Sequence, residues 1–178
     1  MLEGIIREST GKKATKDLRR DGYLIANIYG KGLDNVNAAF KSNEYIRSVR
    51  NKDSIAFSVK VDSKEMNVVV QSYESHPLTG ELLHVDLMVA QPGVVTTYMV
   101  PVNAIGTPVG LKNKGLLNVA KPRLRVRTTI EALPKTIEIN VDNLDVGDAV
   151  MIRDIAETVD VKFTDDGRVS VLSMIKAK

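Results

Sequence analysis

In residues 54–61 large apolar side chains alternate with small or polar ones, and a second alternating segment follows Asp62 and Ser63. Successive side chains of a β-strand point to opposite faces, so this period of two predicts two strands with one apolar face each. The inward positions are Ile55, Phe57, Val59 and Val61 in the first strand and Met66, Val68 and Val70 in the second. Because two residues are enough to join antiparallel strands, the whole segment predicts a β-hairpin.

Further strands are predicted in the first half of the chain, where short apolar runs are bounded by residues that favour turns. These runs are residues 2–7, 24–29, 36–40 and 81–90. A turn at residues 76–80 (HPLTG) separates the last run from the hairpin. The first half of the chain is therefore expected to be mainly β.

Two short helices interrupt these strands. Thr10 is expected to be the N-cap of the first helix, and Gly22 the left-handed residue that ends it. The apolar face of this helix is expected to be formed by Ala14 and Leu18. In the second helix the expected cap is Ser42, and the apolar side is formed by Tyr45, Ile46 and Val49.

The sequence Gln91-Pro92-Gly93 breaks the pattern, and we expect a domain boundary there, with domains at residues 1–91 and 92–178. Everything after it consists of short apolar runs separated by Gly, Pro, Asn or Asp, which predicts an all-β domain. The predicted strands are residues 94–104, 123–131, 137–141, 159–163 and 169–175, with one helical turn at most in 143–147.

Composition excludes several classes of function. The chain has no cysteine, which excludes disulfides, cysteine-ligated zinc, iron–sulfur clusters and thiol catalysis. No run approaches the roughly 18 apolar residues of a membrane span. The N-terminal sequence MLEGIIREST carries an acid and no long apolar run, so we expect no signal peptide and a cytoplasmic protein.

Positive charge is concentrated near the N-terminus. The chain has 25 Lys and Arg against 22 Asp and Glu, which is nearly balanced. The segment from Arg7 to Arg20, however, contains six basic residues and only two acidic ones, Glu8 and Asp17. Lys12, Lys16 and Arg19 or Arg20 recur every three to four residues, which predicts a basic ridge opposite the apolar face of the first helix. Such a ridge can follow a row of phosphates, or it can be an ordinary solvated helix face.

Two other motifs have both a functional and a structural interpretation. His84 and Asp86 lie on the same face of a predicted strand. They can form a structural hydrogen-bonded pair, bind a ligand, or act as a catalytic dyad. No activated nucleophile or metal-binding motif accompanies them, which disfavours catalysis.

The sequence Gly30-Lys31-Gly32 lacks the spacing of a phosphate-binding loop and predicts a hairpin turn. Tyr29 before it is either a half-buried strand residue or a group that stacks on or hydrogen-bonds to RNA.

The second half contains one unusual charge pattern. The sequence Arg123-Leu124-Arg125-Val126-Arg127 places three arginines on one face of a strand and two aliphatic residues on the other. Adjacent guanidinium groups repel one another unless an anion lies nearby. Either acidic residues on neighbouring strands, such as Glu131 or Glu138, neutralise them, or an external polyanion does.

Several ordered motifs resemble one known family. They are Gly11-Lys12-x-Ala14-Thr15-Lys16-x-Leu18-Arg19, Ala26-x-Ile28-Tyr29-Gly30, His76-Pro77 and Leu83-His84-Val85-Asp86 in the first half, and Val100-Pro101-Val102, Gly115-Leu116-Leu117 and Ile137-Glu138-Ile139-x-Val141-x-x-Leu144-x-Val146-Gly147-Asp148 in the second. With these motifs the chain resembles the bacterial large-subunit ribosomal proteins that bind 5S ribosomal RNA, in their long two-domain form, the general stress protein CTC family.

The resemblance implies a fold and a site. It implies a mainly β protein with a six-stranded β-barrel-like first domain, two or three short helices, and an appended β domain. The first domain would dock on the loop E region of 5S RNA. By position, the phosphate contacts would come from Arg7, Lys12, Thr15, Lys16 and Arg19, with Gly11 and Gly30 allowing close approach, and the minor-groove contacts from Tyr29, Gln71, His84 and Asp86.

This chain departs from the family pattern at two places. The family commonly shows Ser-Arg-Arg where this chain has Thr15-Lys16-Asp17, so one expected positive charge is reversed. A proline usual before Ala26 is replaced by Ile25. Lysine keeps the charge of arginine but not its two-pronged geometry, so we expect somewhat weaker phosphate binding without loss of function.

The leading interpretation is a structural constituent of the large ribosomal subunit, located on the ribosome in the cytoplasm. It is expected to be no enzyme, to need no cofactor or metal, to bind no membrane and to be a monomer away from the ribosome, with further subunit contacts made by the second domain. Two other interpretations stay open: a stress-induced RNA-binding factor that acts off the ribosome, and a small hydrolase that uses His84 and Asp86.

Overall fold

A computed structural model describes residues 2–50, 54–156 and 161–176 of the chain. The chain divides into two compact units, Met1–Pro92 and Gly93–Lys178. Within the described ranges, no helix is both long and apolar enough to cross a membrane.

The first unit is a closed six-stranded barrel with two short helices. Its elements are β1 (Leu2–Ile6), α1 (Lys12–Arg20), β2 (Tyr23–Gly30), β3 (Leu33–Lys41), α2 (Ser42–Arg50), β4 (Ala56–Val61), β5 (Lys64–Ser75) and β6 (Leu82–Val89). The strands are hydrogen-bonded in the order β1-β3-β2-β6-β5-β4. Two pairs are parallel, β1 with β4 and β2 with β6, and the other neighbours are antiparallel. The barrel that the resemblance implied is confirmed.

Alternation along the strands fills the barrel interior. The core includes Leu24, Ala26 and Ile28 of β2, Phe40 of β3, Phe57 and Val59 of β4, Val68 of β5, and Val85 and Leu87 of β6. The predicted hairpin is confirmed, with Val61 paired to Lys64 and Asp62 in the left-handed conformation at φ 55°. The turn predicted at Gly30-Lys31-Gly32 is also confirmed, because it connects β2 directly to β3.

The two helices of the first unit correct three expectations, two about where a helix begins and one about which side chains it buries. Gly11, not Thr10, is the N-cap of α1, because the first helical hydrogen bond runs from Thr15 N to Gly11 O at 3.0 Å. Ser42 is itself the first residue of α2, and its hydroxyl donates to the carbonyl of Gly22 at 3.0 Å. Ile46 is 36% exposed, since it lies about 100° around the helix from the buried Tyr45.

The second unit is β-rich, as expected. It contains β7 (Thr96–Ile105), a 3₁₀ turn (Val109–Leu111), β8 (Gly115–Val119), β9 (Arg123–Thr128), β10 (Ile137–Asn140), β11 (Ala149–Met151), α3 (Ile152–Ala156), β12 (Lys162–Phe163) and β13 (Ser170–Lys176). One sheet has the order β10-β7-β9-β12 and the other β11-β13-β8. Buried side chains of the first sheet include Tyr98, Val100, Leu124, Val126 and Ile137.

The strands predicted in this half are found, with different ends. β9 stops at Thr128 instead of residue 131, and β7 begins at Thr96 instead of residue 94. Of the strand predicted at 159–163, Val159 and Asp160 lie outside the described residues. The short elements β8, β11 and α3 were not predicted, so an all-β description omits one five-residue helix.

Candidate nucleic-acid interface

The outer face of the barrel carries a group of polar side chains on β2, β5 and β6. Asn27 and Tyr29 alternate with the core residues of β2 and therefore point outward. His84 and Asp86 do the same on β6, as the alternation predicted. The parallel register places Asn27 beside Asp86, so the two strands present one continuous surface. We call it the barrel face: Asn27, Tyr29, Gln71, Ser72, His84 and Asp86.

β5 completes the barrel face from the other side of β6. Ser72 is paired with Asp86 and Glu74 with His84 in the antiparallel register. The register shifts between Val70 and Ser72, which leaves Gln71 at a bulge beside these pairs. The hydroxyl of Ser72 donates a hydrogen bond to the Asp86 carboxylate. One carboxylate oxygen of Asp86 is thus held in place from β5.

His84 and Asp86 lie close together without forming a hydrogen-bonded dyad. Their nearest side-chain atoms, Nδ1 of His84 and Oδ1 of Asp86, are 3.7 Å apart, which is longer than a hydrogen bond. The side chains are 28% and 32% exposed, so both are accessible from outside. This arrangement does not give the imidazole the oriented partner that a catalytic base needs, and it leaves both groups available to a ligand.

Two amide oxygens of the barrel face are buried without a hydrogen-bond donor among the described residues. They are Oδ1 of Asn27 and Oε1 of Gln71. A buried acceptor without a donor costs roughly 1–3 kcal/mol, whereas most buried polar atoms are paired. A rotation of either side chain that brings its oxygen to the surface, where a ligand can donate a hydrogen bond, would remove that cost.

Tyr29 adds a donor to the same surface. Burial and, secondarily, the charge of Asp86 raise the pKa of its phenol above the ordinary value. The hydroxyl therefore stays protonated at neutral pH and can donate a hydrogen bond. Its ring is half-buried, so both interpretations of Tyr29 from the sequence are compatible with its position.

The structure decides which of the two residues expected at the end of the basic ridge on α1, Arg19 or Arg20, belongs to it. Lys12, Lys16 and Arg20 are exposed and four residues apart, so they form one row along the helix, and this row is the basic ridge. Asp17 forms an ion pair with Arg20 at 2.9 Å, which reduces the net charge at that end. Arg19 does not belong to the row, because its guanidinium turns toward the barrel and donates two hydrogen bonds to the carbonyl of Leu83.

Arg7 joins the end of β1 to the same helix. Its guanidinium donates to the hydroxyl of Thr15 at 2.7 Å, and its backbone N–H donates to the carbonyl of Asn37. Burial, with the nearby charge of Arg19, lowers the pKa of Arg7 below its ordinary value. Thr15 and Arg19 thus hold α1 and Arg7 in fixed positions beside the barrel face, in addition to any contact with a ligand.

The two glycines of the expected site have different structural roles. A Cβ built on Gly30 would lie 3.0 Å from Leu33 Cδ1 and 3.2 Å from Val89 Cβ, so packing within the barrel restricts this position. A Cβ on Gly11 would lie 3.8 Å from its nearest neighbour, Ser9 Oγ, and φ is −63°. The free protein therefore has room for a side chain at position 11.

The replacement of proline by Ile25 also has a structural explanation. Ile25 lies on the outer side of β2 and is only 2% exposed, because α1 packs across this strand. Burial of its side chain stabilises the contact between helix and barrel.

Sequence analysis overlooked two residues of the barrel face, Asn27 and Ser72. Asn27 occupies the outward position two residues before Tyr29, so the alternation of β2 was a sufficient signal. Ser72 had no such signal, since the bulge at Gln71 shifts the register of β5. The contact of Ser72 with Asp86 depends on pairing between strands and is visible only in the structure.

Comparison with known proteins identifies both halves of the chain. The model of the ribosomal L25p family matches residues 2–87, and that of the C-terminal domain of ribosomal protein TL5 matches residues 95–178. The chain is 70% identical to the large ribosomal subunit protein bL25 of Sulfurimonas denitrificans. It is 60% and 57% identical to those of a Nitratiruptor species and Campylobacter lari. Each alignment covers 178 residues and all of both chains.

These matches extend over nearly the whole chain, and they confirm the expectation of a ribosome-associated, cytoplasmic protein. They also confirm that the chain is not an enzyme. The chain belongs to the ribosomal L25p family, in a form that carries the TL5 C-terminal domain, and it is a structural protein of the large ribosomal subunit.

Proposed function

We propose that the first unit binds 5S ribosomal RNA at its loop E region. In this proposal the barrel face contacts the minor-groove side of the RNA, and the basic ridge together with Arg7 contacts phosphates. The resemblance of the site motifs supports the choice of 5S RNA, and the geometry of the barrel supports the choice of surface.

The observation that carries the proposal is the convergence of residues that are far apart in sequence. Tyr29 on β2, Gln71 on β5, and His84 and Asp86 on β6 lie on one outer face of the barrel. α1, which carries the basic ridge, packs against β2 and is tied to β6 through Arg19. Because side chains from three strands meet on one accessible surface, this surface has the composition expected of a binding site.

The chemistry of the barrel face fits the minor groove of an RNA helix. That groove is wide and shallow and presents 2′-hydroxyls and base edges, which both donate and accept hydrogen bonds. Asp86 supplies an accessible acceptor. The amide oxygens of Asn27 and Gln71 have no donor in the described part of the chain and become acceptors for RNA once their side chains turn outward. Tyr29 supplies a donor, and His84 supplies either function according to its tautomer.

The basic ridge supplies affinity that does not depend on base sequence. Lysines that neutralise phosphates release bound counterions, so their contribution falls as salt is added. The ridge lies on a helix whose position is fixed by Arg19 and by the contact between Arg7 and Thr15. The phosphate contacts of the basic ridge and the minor-groove contacts of the barrel face therefore have a fixed spacing from each other.

Footprinting of isolated 5S RNA tests the proposal. The full chain should protect loop E, and His84→Ala and the double variant Lys12→Ala/Lys16→Ala should need higher protein concentrations for the same protection. Lys64→Ala is the control, because Lys64 is exposed at the β4–β5 turn, seven residues and roughly 23 Å of strand from Gln71. Protection of another region, or equal loss in the control, would refute the proposed surface.

A further inference from the structure

A second strongly basic surface lies on the second unit, on one face of the sheet β10-β7-β9-β12. Arg125 and Arg127 of β9 are exposed, while Leu124 and Val126 between them are fully buried. Lys162 of β12 is exposed and paired with Arg127. These three residues, which we call the arginine face, hold three positive charges on two neighbouring strands. Arg123 continues the same face at the start of β9.

Acidic residues do not neutralise the arginine face within the described part of the chain. The residues that β7 places opposite Arg125 and Arg127 are Met99 and Thr97. Glu138 is paired with Asn103 on the far side of β7, and Glu131 lies beyond the end of β9. The ion pairs of the described residues include neither Arg125 nor Arg127. For Arg125 and Arg127, the internal neutralisation considered from the sequence is therefore not found among the described residues.

Half of the acidic residues of the second unit bind backbone groups away from the arginine face. Residues 93–178 contain 12 Lys and Arg and 10 Asp and Glu, so this half is nearly balanced. Five of the acids accept hydrogen bonds from backbone N–H groups in loops or at the start of α3: Asp142, Asp145, Asp148, Asp154 and Asp166. The arginine face is thus a local separation of charge and not a consequence of net charge.

We propose that the arginine face binds the phosphate backbone of RNA, as a contact separate from the barrel face. Side chains two residues apart on a strand are roughly 6.6 Å apart, so Arg125 and Arg127 can each reach a phosphate. Guanidinium groups bind phosphate oxygens through two parallel hydrogen bonds, which favours phosphate over an anion that cannot accept two such bonds at once. The buried Leu124 and Val126 fix the strand, so the two arginines project from a rigid surface.

Binding at this face is expected to be independent of sequence. The cross-strand neighbours of the arginines on β7 are an aliphatic thioether and a hydroxyl, Met99 and Thr97, which offer no aromatic ring for base stacking. Contacts to phosphates position a protein on RNA without reading bases. The proposal does not depend on recognition of 5S RNA by the first unit.

The test uses the full chain and a 20-base-pair RNA duplex of arbitrary sequence, titrated at several salt concentrations. Arg125→Gln/Arg127→Gln should reduce affinity about tenfold in low salt, and the slope of log K against log salt should fall by about one to two. Arg125→Lys/Arg127→Lys should keep most of the slope. The control is Lys112→Gln/Lys114→Gln, which removes two exposed charges near the 3₁₀ turn of the same unit.

An unchanged slope in Arg125→Gln/Arg127→Gln, or an equal decrease in the control, would overturn the proposal. Tighter binding of polyglutamate than of the duplex would also overturn it, since the face would then fit an acidic protein. Protection of loop E in 5S RNA by Arg125→Gln/Arg127→Gln is measured in parallel. It should be retained, and this separates failure at the arginine face from failure at the barrel face.

Discussion

The guanidinium of Arg19 donates two hydrogen bonds to the backbone carbonyl of Leu83, at 3.2 Å from Nε and 2.9 Å from Nη2. Leu83 precedes His84 on β6, so this contact joins α1 to the strand that carries the centre of the barrel face. Arg19 still has N–H donors that Leu83 does not use. It can therefore position the helix and contact RNA at the same time.

Arg19→Ala is expected to reduce the free energy of unfolding by roughly 1–2 kcal/mol, because it removes both hydrogen bonds from a charged donor. Lys16→Ala on the exposed side of the same helix should leave stability nearly unchanged. Urea denaturation of the two variants measures the difference. Equal stability of Arg19→Ala and the unmodified chain would show that the contact with Leu83 does not stabilise the docked helix.

The basic ridge predicts a change in the salt dependence of binding. Lys12→Ala and Lys16→Ala should each weaken binding to 5S RNA and lower the slope of log K against log salt by about one, since each removes one phosphate contact. Fluorescence titrations between low and moderate salt measure the slope. If both slopes match those of the unmodified chain and of Lys64→Ala, the ridge is only a solvated helix face.

Gly11 predicts opposite effects on stability and on binding. Serine at the N-cap stabilises a helix, and the free protein has room for a Cβ at this position, so Gly11→Ser should fold at least as stably. If the RNA backbone approaches Gly11 closely, the same Cβ should reduce affinity about tenfold. Thermal denaturation and RNA titration of this variant give the two results, and unaltered affinity would exclude a close approach at Gly11.

The sequence predicted those parts of the fold that depend on local pattern. The β4–β5 hairpin follows from alternation on both sides of Asp62, and the end of α1 follows from Gly22, which adopts φ 80°. Closure of the barrel depends on the parallel pairs of β1 with β4 and of β2 with β6. No local pattern specifies these pairs, and only the family resemblance indicated the barrel.

In the candidate site, too, local pattern predicted some features, and others depend on tertiary contacts. Alternation placed His84 and Asp86 together on the outside of β6, and their positions agree with it. The partner of Asp86 is Ser72 on another strand, and the partner of Arg19 is a backbone carbonyl of β6. Both contacts come from tertiary packing, so the spacing of basic residues along α1 could not decide whether Arg19 or Arg20 completes the basic ridge.

The first unit is expected to bind 5S RNA without the second. Every residue of the barrel face and basic ridge lies within residues 1–91, and the chain divides into compact units at Pro92. A fragment of residues 1–91 should therefore fold and keep most of the affinity of the full chain for 5S RNA. Circular dichroism establishes folding, and a folded fragment that has lost binding would contradict the prediction.

The last prediction concerns His84 and Asp86, which occupy the centre of the barrel face. His84 forms no hydrogen bond with Asp86 at 3.7 Å, and its side chain is 28% exposed. Replacement of His84 by alanine should therefore spare stability. If the imidazole contacts RNA, the loss of that contact should cost roughly 1–3 kcal/mol of binding, or about one to two decades in Kd.

Asp86→Asn tests whether the carboxylate accepts hydrogen bonds from RNA. The substitution removes a charge that repels phosphate, so electrostatics alone predicts tighter binding. If Asp86 accepts from a ribose hydroxyl while Ser72 holds its other oxygen, the amide should instead weaken binding. Ser72→Ala should then weaken it less, because it removes the support and keeps the acceptor. Calorimetric titration of His84→Ala, Asp86→Asn and Ser72→Ala with 5S RNA decides between these outcomes. Tighter binding by Asp86→Asn would exclude the carboxylate as an RNA acceptor. Unfolding of His84→Ala would make His84 a structural residue.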